Sequence, residues 1–280
     1  MYQIPLSNAL STRRRAGAIV FALLFALGSA AKAAEEIKVG GTGAALGTVR
    51  LLAEKFSQSN PGIRITTVGN LGSAGGIKAV ASGAIALAVT SRPLNESERR
   101  RGVAQLEYAR TPFVFAVSDK SAVGSITLIE LAGIYSGRIR KWPDGSPIRL
   151  VLRPPSDIDT EIVKGLTPAL EQGVAAAEQR AGVQFSVNDQ DAAGDLERIP
   201  GAIGPSTLAL ILSERRALRA LKLEGVEPTP ANAAEGAYPL YKQMFFVTGA
   251  QRPVAVERFI AFVQSPAGRK ILLKNGHWIP

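Results

Sequence analysis

The sequence predicts an α/β fold with parallel strand pairing, and three observations point to it. Short β-branched and aliphatic runs alternate with stretches whose apolar residues recur at helical spacing. Three of the loops that follow those runs and open helices are built from small and hydroxyl residues: Gly41–Ala44, Gly72–Gly76 and Ser91–Asn95. No internal repeat or low-complexity tract places the chain among solenoids or disordered proteins.

The elements follow in order. Ile37-Lys38-Val39 reads as a short strand entering the turn Gly40-Gly41-Thr42-Gly43, and Leu46, Val49, Leu52, Ala53 and Phe56 then recur as one helix face. Asn60-Pro61-Gly62 stops that helix, and Ile63 to Val68 alternates as a second strand. The glycine-rich loop Gly69–Gly76 opens a helix through Ser82, and Ile85–Val89 is a third strand ending at Thr90-Ser91-Arg92-Pro93-Leu94. Further on, Ile126–Trp142 predicts a helix and turn, and Ile148–Arg153 a strand. Val256, Phe259, Ile260 and Val263 form an amphipathic face, and Ser265-Pro266-Ala267-Gly268 starts a last helix that ends at Gly276.

The N-terminus reads as an export signal. Arg13-Arg14-Arg15 is a basic n-region, Ala16–Gly28 an apolar run shorter than the ~20 residues a membrane span needs, and Ala31-Lys32-Ala33 a small-residue cleavage site. Cleavage near Ala33/Ala34 predicts a secreted, periplasmic protein. Residues 1–33 carry four basic residues and no acidic one, so their removal lowers the net charge from +10 to +6. A basic exported protein attracts anions in a general way, and export argues against nucleic acid as the partner. The chain has no cysteine, which excludes disulfides, a lipidated Cys, thiolate metal sites and cysteine nucleophiles. With one histidine, His277, it also lacks His-based triads and His-rich metal sites. No Ser-x-x-Lys motif occurs, and Ser73 lacks the glycine frame of a nucleophile elbow, since Leu71 stands at its first position. No catalytic residues, cofactor or metal are expected. Asp189 and Asp191 read as a helix start, and Tyr135 and Trp142 as core.

What remains is anion-binding chemistry. A loop between a strand and a helix directs free backbone N–H groups and the positive helix end at a ligand, and Thr42, Ser73, Thr90 and Ser91 add neutral donors. Arg92 stands in the third loop, where an ion pair is an equally open role. Arg153 ends a strand and precedes Pro154-Pro155-Ser156-Asp157-Ile158-Asp159-Thr160. Asp157 suits the N-cap of the helix that follows.

These stretches resemble the PstS-like phosphate-binding proteins, the periplasmic solute receptors of phosphate ABC importers. Ile126–Trp142 is similar to that family's Leu-Thr…Leu…Ile-Phe-x-Gly-x-Ile-x-x-Trp segment, and Pro200-Gly201-Ala202-Ile203-Gly204 to its Pro-Gly-Ala-Ile-Gly-Tyr turn, with Pro205 in place of Tyr. The resemblance runs from Ile37 to Pro280. It implies a two-lobed periplasmic-binding-protein fold with a ligand cleft between lobes: 34–114 as the first part of lobe 1, 115–241 as lobe 2, and 242–280 as the return to lobe 1. It implies a monomer that captures phosphate or a related small anion and hands it to a membrane permease. The implied ligand residues are Thr42, Gly43, Ser73, Gly75, Ser91, Arg92, Arg153, Asp157 and Thr160. The family's Arg-x-x-Gly-Ser-Gly-Thr loop keeps its Arg and Thr here, but Ser156-Asp157-Ile158-Asp159 replaces the glycines. Like charges near 4 Å repel by about 4 kcal/mol at an effective dielectric of 20. Two ionised aspartates facing the ligand would therefore oppose an anion. That replacement motivates the alternative of a divergent receptor, sensing or docking module for another small ligand. The orientation of the two carboxylates separates the readings.

Overall fold

The computed structural model of the protein describes residues 34–182 and 184–280, so the expected export signal, residues 1–33, lies outside the described residues. β1 (Glu35–Gly41), α1 (Gly43–Ser59), β2 (Ile63–Asn70), α2 (Gly72–Ala81) and β3 (Leu87–Thr90) open the fold. The α1 face formed by Leu46, Val49, Leu52, Ala53 and Phe56 is buried, as its spacing requires. A short α3 (Glu96–Arg99) leads into the long β4 (Val103–Ser118), then β5 (Ser125–Ile126), α4 (Leu128–Ser136) and β6 (Arg149–Leu152). The chain continues through α5 (Ile158–Leu166), α6 (Pro168–Glu178), β7 (Gln184–Phe185), α7 (Asp189–Arg198), β8 (Ala202–Thr207) and α8 (Leu208–Ser213). It ends with β9 (Leu218–Ala220), β10 (Lys222–Leu223), α9 (Pro230–Ala234), β11 (Tyr241–Gly249), α10 (Val254–Gln264) and α11 (Pro266–Lys274).

The main sheet has the order β2-β1-β3-β11-β4-β8-β6-β7, with β9 also on β4. β1 pairs parallel with β2 and β3, and β6 pairs parallel with β7 and β8. Strand–helix alternation predicted parallel pairing, but β11 is antiparallel to both β3 and β4, and β4 to β8. The cause is the chain path. β4 carries the chain out of one hydrophobic core and β11 brings it back, so the two strands must oppose each other.

β4 shows the division directly. Its first part, Val103–Pro112, pairs with β11, and Phe113–Ala116 pairs with β8. Tyr108 and Ala109 join a core with Val39, Leu52, Phe56, Phe246 and Phe259, whereas Phe113 and Phe115 join Tyr135, Trp142, Leu152, Val163 and Tyr238. The result is a two-lobed α/β structure in which loops at the carboxyl ends of β1, β2, β3 and β6 meet. Among the described residues, no helix is long and apolar enough to cross a membrane.

His277 is structural. It is fully buried and its Nε2 lies 3.0 Å from Thr48 Oγ1. Burial pushes the imidazole down to about 3. An unfolded histidine takes up its proton near pH 6.5, so the unfolded chain binds more protons between pH 6.5 and 3. Stability from this residue is therefore present above pH 6.5 and is lost as pH falls. Urea unfolding at pH 7 and pH 5 should show the wild type losing about 2 kcal/mol more than His277→Gln between the two conditions. Equal losses would show that the imidazole is not excluded from protonation.

Candidate anion-binding cleft

The site begins with a tight strand end. Gly41 has φ +134°, and a Cβ there would lie 1.9 Å from the Val89 carbonyl oxygen. That oxygen accepts from Thr42 N–H at 2.9 Å, which pins the start of α1 against β3. Thr42 is the N-cap of α1 yet makes no side-chain capping bond, so its hydroxyl is not spent on the helix. On β2, Asn70 Oδ1 accepts from Gly72 N–H at 3.0 Å and shapes the entry to α2.

Three loops then converge. Ser73 Oγ lies 3.4 Å from Ser91 Oγ and accepts from Ser91 N–H at 3.1 Å, and Ser91 Oγ lies 3.4 Å from Thr42 Oγ1. These three hydroxyls line a cavity of about 260 Å³ together with Arg92, Arg153, Asp157 and Asp189. Of the residues singled out from the sequence, the structure brings Thr42, Ser73, Ser91, Arg92, Arg153 and Asp157 to this one cavity. Gly43, Gly75 and Thr160 are not among its lining residues. Thr160 Oγ1 donates to the Arg153 and Pro154 carbonyls, at 3.1 and 2.9 Å, and so ties α5 to the end of β6. A Cβ at Gly43 would meet Asn70 Nδ2 and Gln190 Oε1 at 2.2 and 2.3 Å, so this position faces α7.

The two arginines differ in how much charge they offer. Arg92 makes a bidentate pair with Glu98, at 2.8 and 2.7 Å. The hydrogen bond from Arg92 holds the Glu98 carboxyl below its usual range, against burial. Glu98 also completes a capping box with Asn95, which fixes the pair in place. Arg153 is buried. Its Nη1 donates to the Ser186 carbonyl at 2.8 Å and its Nη2 to Asp157 Oδ2 at 2.7 Å, while Nε has no hydrogen-bond partner among the described residues.

The carboxylates that replace the glycines part company. Asp157 is the N-cap of α5, accepting from Asp159 N–H at 2.9 Å through Oδ1 while Oδ2 holds Arg153. Asp159 turns away from the cavity lining. It is buried against Lys242 of β11, with Arg153 Nε 3.9 Å from its other oxygen. Burial pushes the Asp159 carboxyl up while Lys242 pulls it down. Burial lowers Lys242 too, but Asp159, Asp189 and Asp157 more than offset this and hold the ammonium above its ordinary range. One carboxylate therefore faces the ligand space as a capped, paired group, and the other neutralises a buried lysine.

Sequence reading missed Lys242, Asn70 and Gln190. Lys242 had a signal: it shares the period-2 phase of Met244 and Phe246, both buried. Gln190 had none. Its Nε2 donates to the Gly43 carbonyl and to Glu214 Oε1, at 3.0 and 2.9 Å, and its Oε1 accepts from Asn70 at 2.7 Å. One amide thus joins α7 to both the β1–α1 and the β2–α2 loops beside the cavity.

Comparison with known proteins agrees with this architecture. The curated Phosphate-binding protein PstS of Bacillus subtilis is 25% identical over 259 residues, covering 89% of this chain and 82% of its own. Among solved structures, a putative phosphate ABC transporter substrate-binding protein from Clostridium perfringens, with bound phosphate, superposes with a TM-score of 0.72 at 23% identity, covering 88% of this chain and all of that one. An ABC-type phosphate transport receptor from Vibrio cholerae gives 0.60 at 23% identity, over 87% of this chain and all of its own. Residues 28–267 match the family model described as PBP superfamily domain, and the chain belongs to that family.

Proposed function

We propose that this chain is an exported, periplasmic solute-binding protein that holds phosphate in the cleft and presents it to the membrane permease of an ABC importer. It acts as a monomer, by binding and not by catalysis. Its first lobe comprises 34–114 and 242–280 and its second 115–241. The observation that carries the reading is the convergence of three hydroxyls, the N-terminal ends of α1 and α2, and the buried Arg153 on one cavity. Such donors suit a tetrahedral oxyanion, because helix ends and hydroxyls bind charge without a full counter-ion. The names of the relatives and structural neighbours support phosphate as that anion.

The aspartates do not oppose this. Asp159 is spent on Lys242, so of the two carboxylates that replace the glycines only Asp157 joins Asp189 at the cavity, and a protonated phosphate oxygen donates to Asp157. Calorimetry of ligand-stripped protein tests the reading. A charge-assisted hydrogen bond contributes about 1.5–3 kcal/mol, so Arg153→Ala should weaken phosphate binding at least about tenfold. Ser73→Ala, which leaves the ion pairs intact, should weaken it by about tenfold as well. Absence of heat at phosphate concentrations on the order of millimolar would sink the assignment.

A further inference from the structure

We propose that the protein has a second anion site, outside the cleft, at the opposite end of β6. There a cavity of about 440 Å³ is lined by Arg140, Arg149 and Arg180, with Ile139, Ile148 and Ile199 among its apolar walls. β6 starts at Arg149 and ends next to Arg153, so these two arginines, one in each cavity, stand roughly 13 Å apart along the strand at ~3.3 Å per residue.

Among the described residues, the three arginines lack the counter-charges found elsewhere in the molecule. Arg92, Arg110, Arg153 and Arg216 each sit against a carboxylate, at 2.6–2.7 Å. No carboxylate is among the described residues that line the second cavity. Two of its arginines are instead held by backbone carbonyls at the end of α4. Arg180 Nη2 donates to the Tyr135 carbonyl at 2.6 Å, and Arg140 Nε to the Gly137 carbonyl at 2.8 Å. A carbonyl fixes a guanidinium without cancelling its charge, and each guanidinium keeps four of its five donors. Stabilising the C-terminal end of α4 accounts for these two contacts. It does not account for Arg149, which is exposed, comes from a different element and brings a third charge to the same cavity.

Cavity and charge together define the ligand class. Three guanidiniums match two or more anionic groups, because each accepts an oxyanion through paired N–H donors. The isoleucine walls match an organic frame, and the volume lies near the lower end of small-molecule sites. The ligand is therefore a compact organic oxyanion bearing several carboxylate or phosphate groups.

Citrate, and separately inorganic pyrophosphate, titrated into the purified protein after its cleft is saturated with phosphate, tests the site. The expected result is one equivalent of citrate bound, with affinity reduced at least about tenfold in R140A/R149A. Both substituted residues are exposed and only one helix-end contact, Arg140 to Gly137, is lost, so urea unfolding should report an at most slightly lowered midpoint in that variant. Arg153→Ala should leave citrate binding intact, and this variant reports the second site even if the cleft does not take phosphate. Heat from neither probe, or citrate affinity unchanged in R140A/R149A, overturns the proposal.

Discussion

Replacing Lys242 with methionine is expected to destabilise the protein by about 3–5 kcal/mol, the usual cost of breaking a buried ion pair from one side. Lys242 is 1% exposed and its ammonium contacts Asp159, itself 2% exposed, while lying 5.5 Å from the centre of the Phe113 ring. Methionine fills the space of the stem but leaves a buried carboxylate whose nearest remaining cation, Arg153 Nε, is 3.9 Å away. Asp159 would then compete with Asp157 for Arg153, so the cleft should feel the change as well. The double variant K242M/D159L removes both charges and should recover most of the loss, since an apolar replacement of a whole buried pair is often neutral or better. Urea unfolding of the two variants decides it. A single-variant cost below about 1 kcal/mol would mean that the pair is not desolvated as its burial implies.

The second large effect is expected at Gly41. Alanine there must adopt φ +134°, a conformation L side chains rarely take, and its Cβ would press on the Val89 carbonyl. Backbone strain of about 1–3 kcal/mol and overpacking of about 1–3 kcal/mol act together, so Gly41→Ala should cost about 3 kcal/mol or more. The backbone can relieve the clash only by moving the end of β1 away from β3, which carries Thr42 and the first turn of α1 with it. Phosphate affinity should therefore fall together with the unfolding midpoint. Retention of both would place the β1–α1 turn in a different conformation.

Much of this architecture was legible in the residues. The α1 stripe from Leu46 to Phe56, the Ser265 cap before α11 and the Asp157 cap of α5 are local devices, and each appears where its spacing places it. The three small-residue loops were legible as well, because a strand that turns into a helix needs compact residues at the turn. Mixed sheet direction was not legible. Whether β4 and β11 run with or against their neighbours depends on where the chain crosses between cores, and no local pattern records a crossing. The partners of Arg92 and Arg153 divide in the same way. Glu98 and Asp157 lie six and four positions away and are open to inspection, whereas Ser186, at 33 positions, is not.

The sequence by itself therefore determined the α/β class, the small-residue loops between strands and helices, and the identity of the groups available to bind an anion. Only the tertiary structure decided the orientation of the two aspartates. Asp157 and Asp159 are two residues apart on one helix start, and nothing local distinguishes their exposure. The distinction comes from Lys242, 83 positions beyond Asp159, whose desolvated ammonium requires a buried counter-charge and takes Asp159 for it. That long-range pairing withdraws one of the two loop carboxylates from the cavity, which lowers the negative charge an oxyanion meets there.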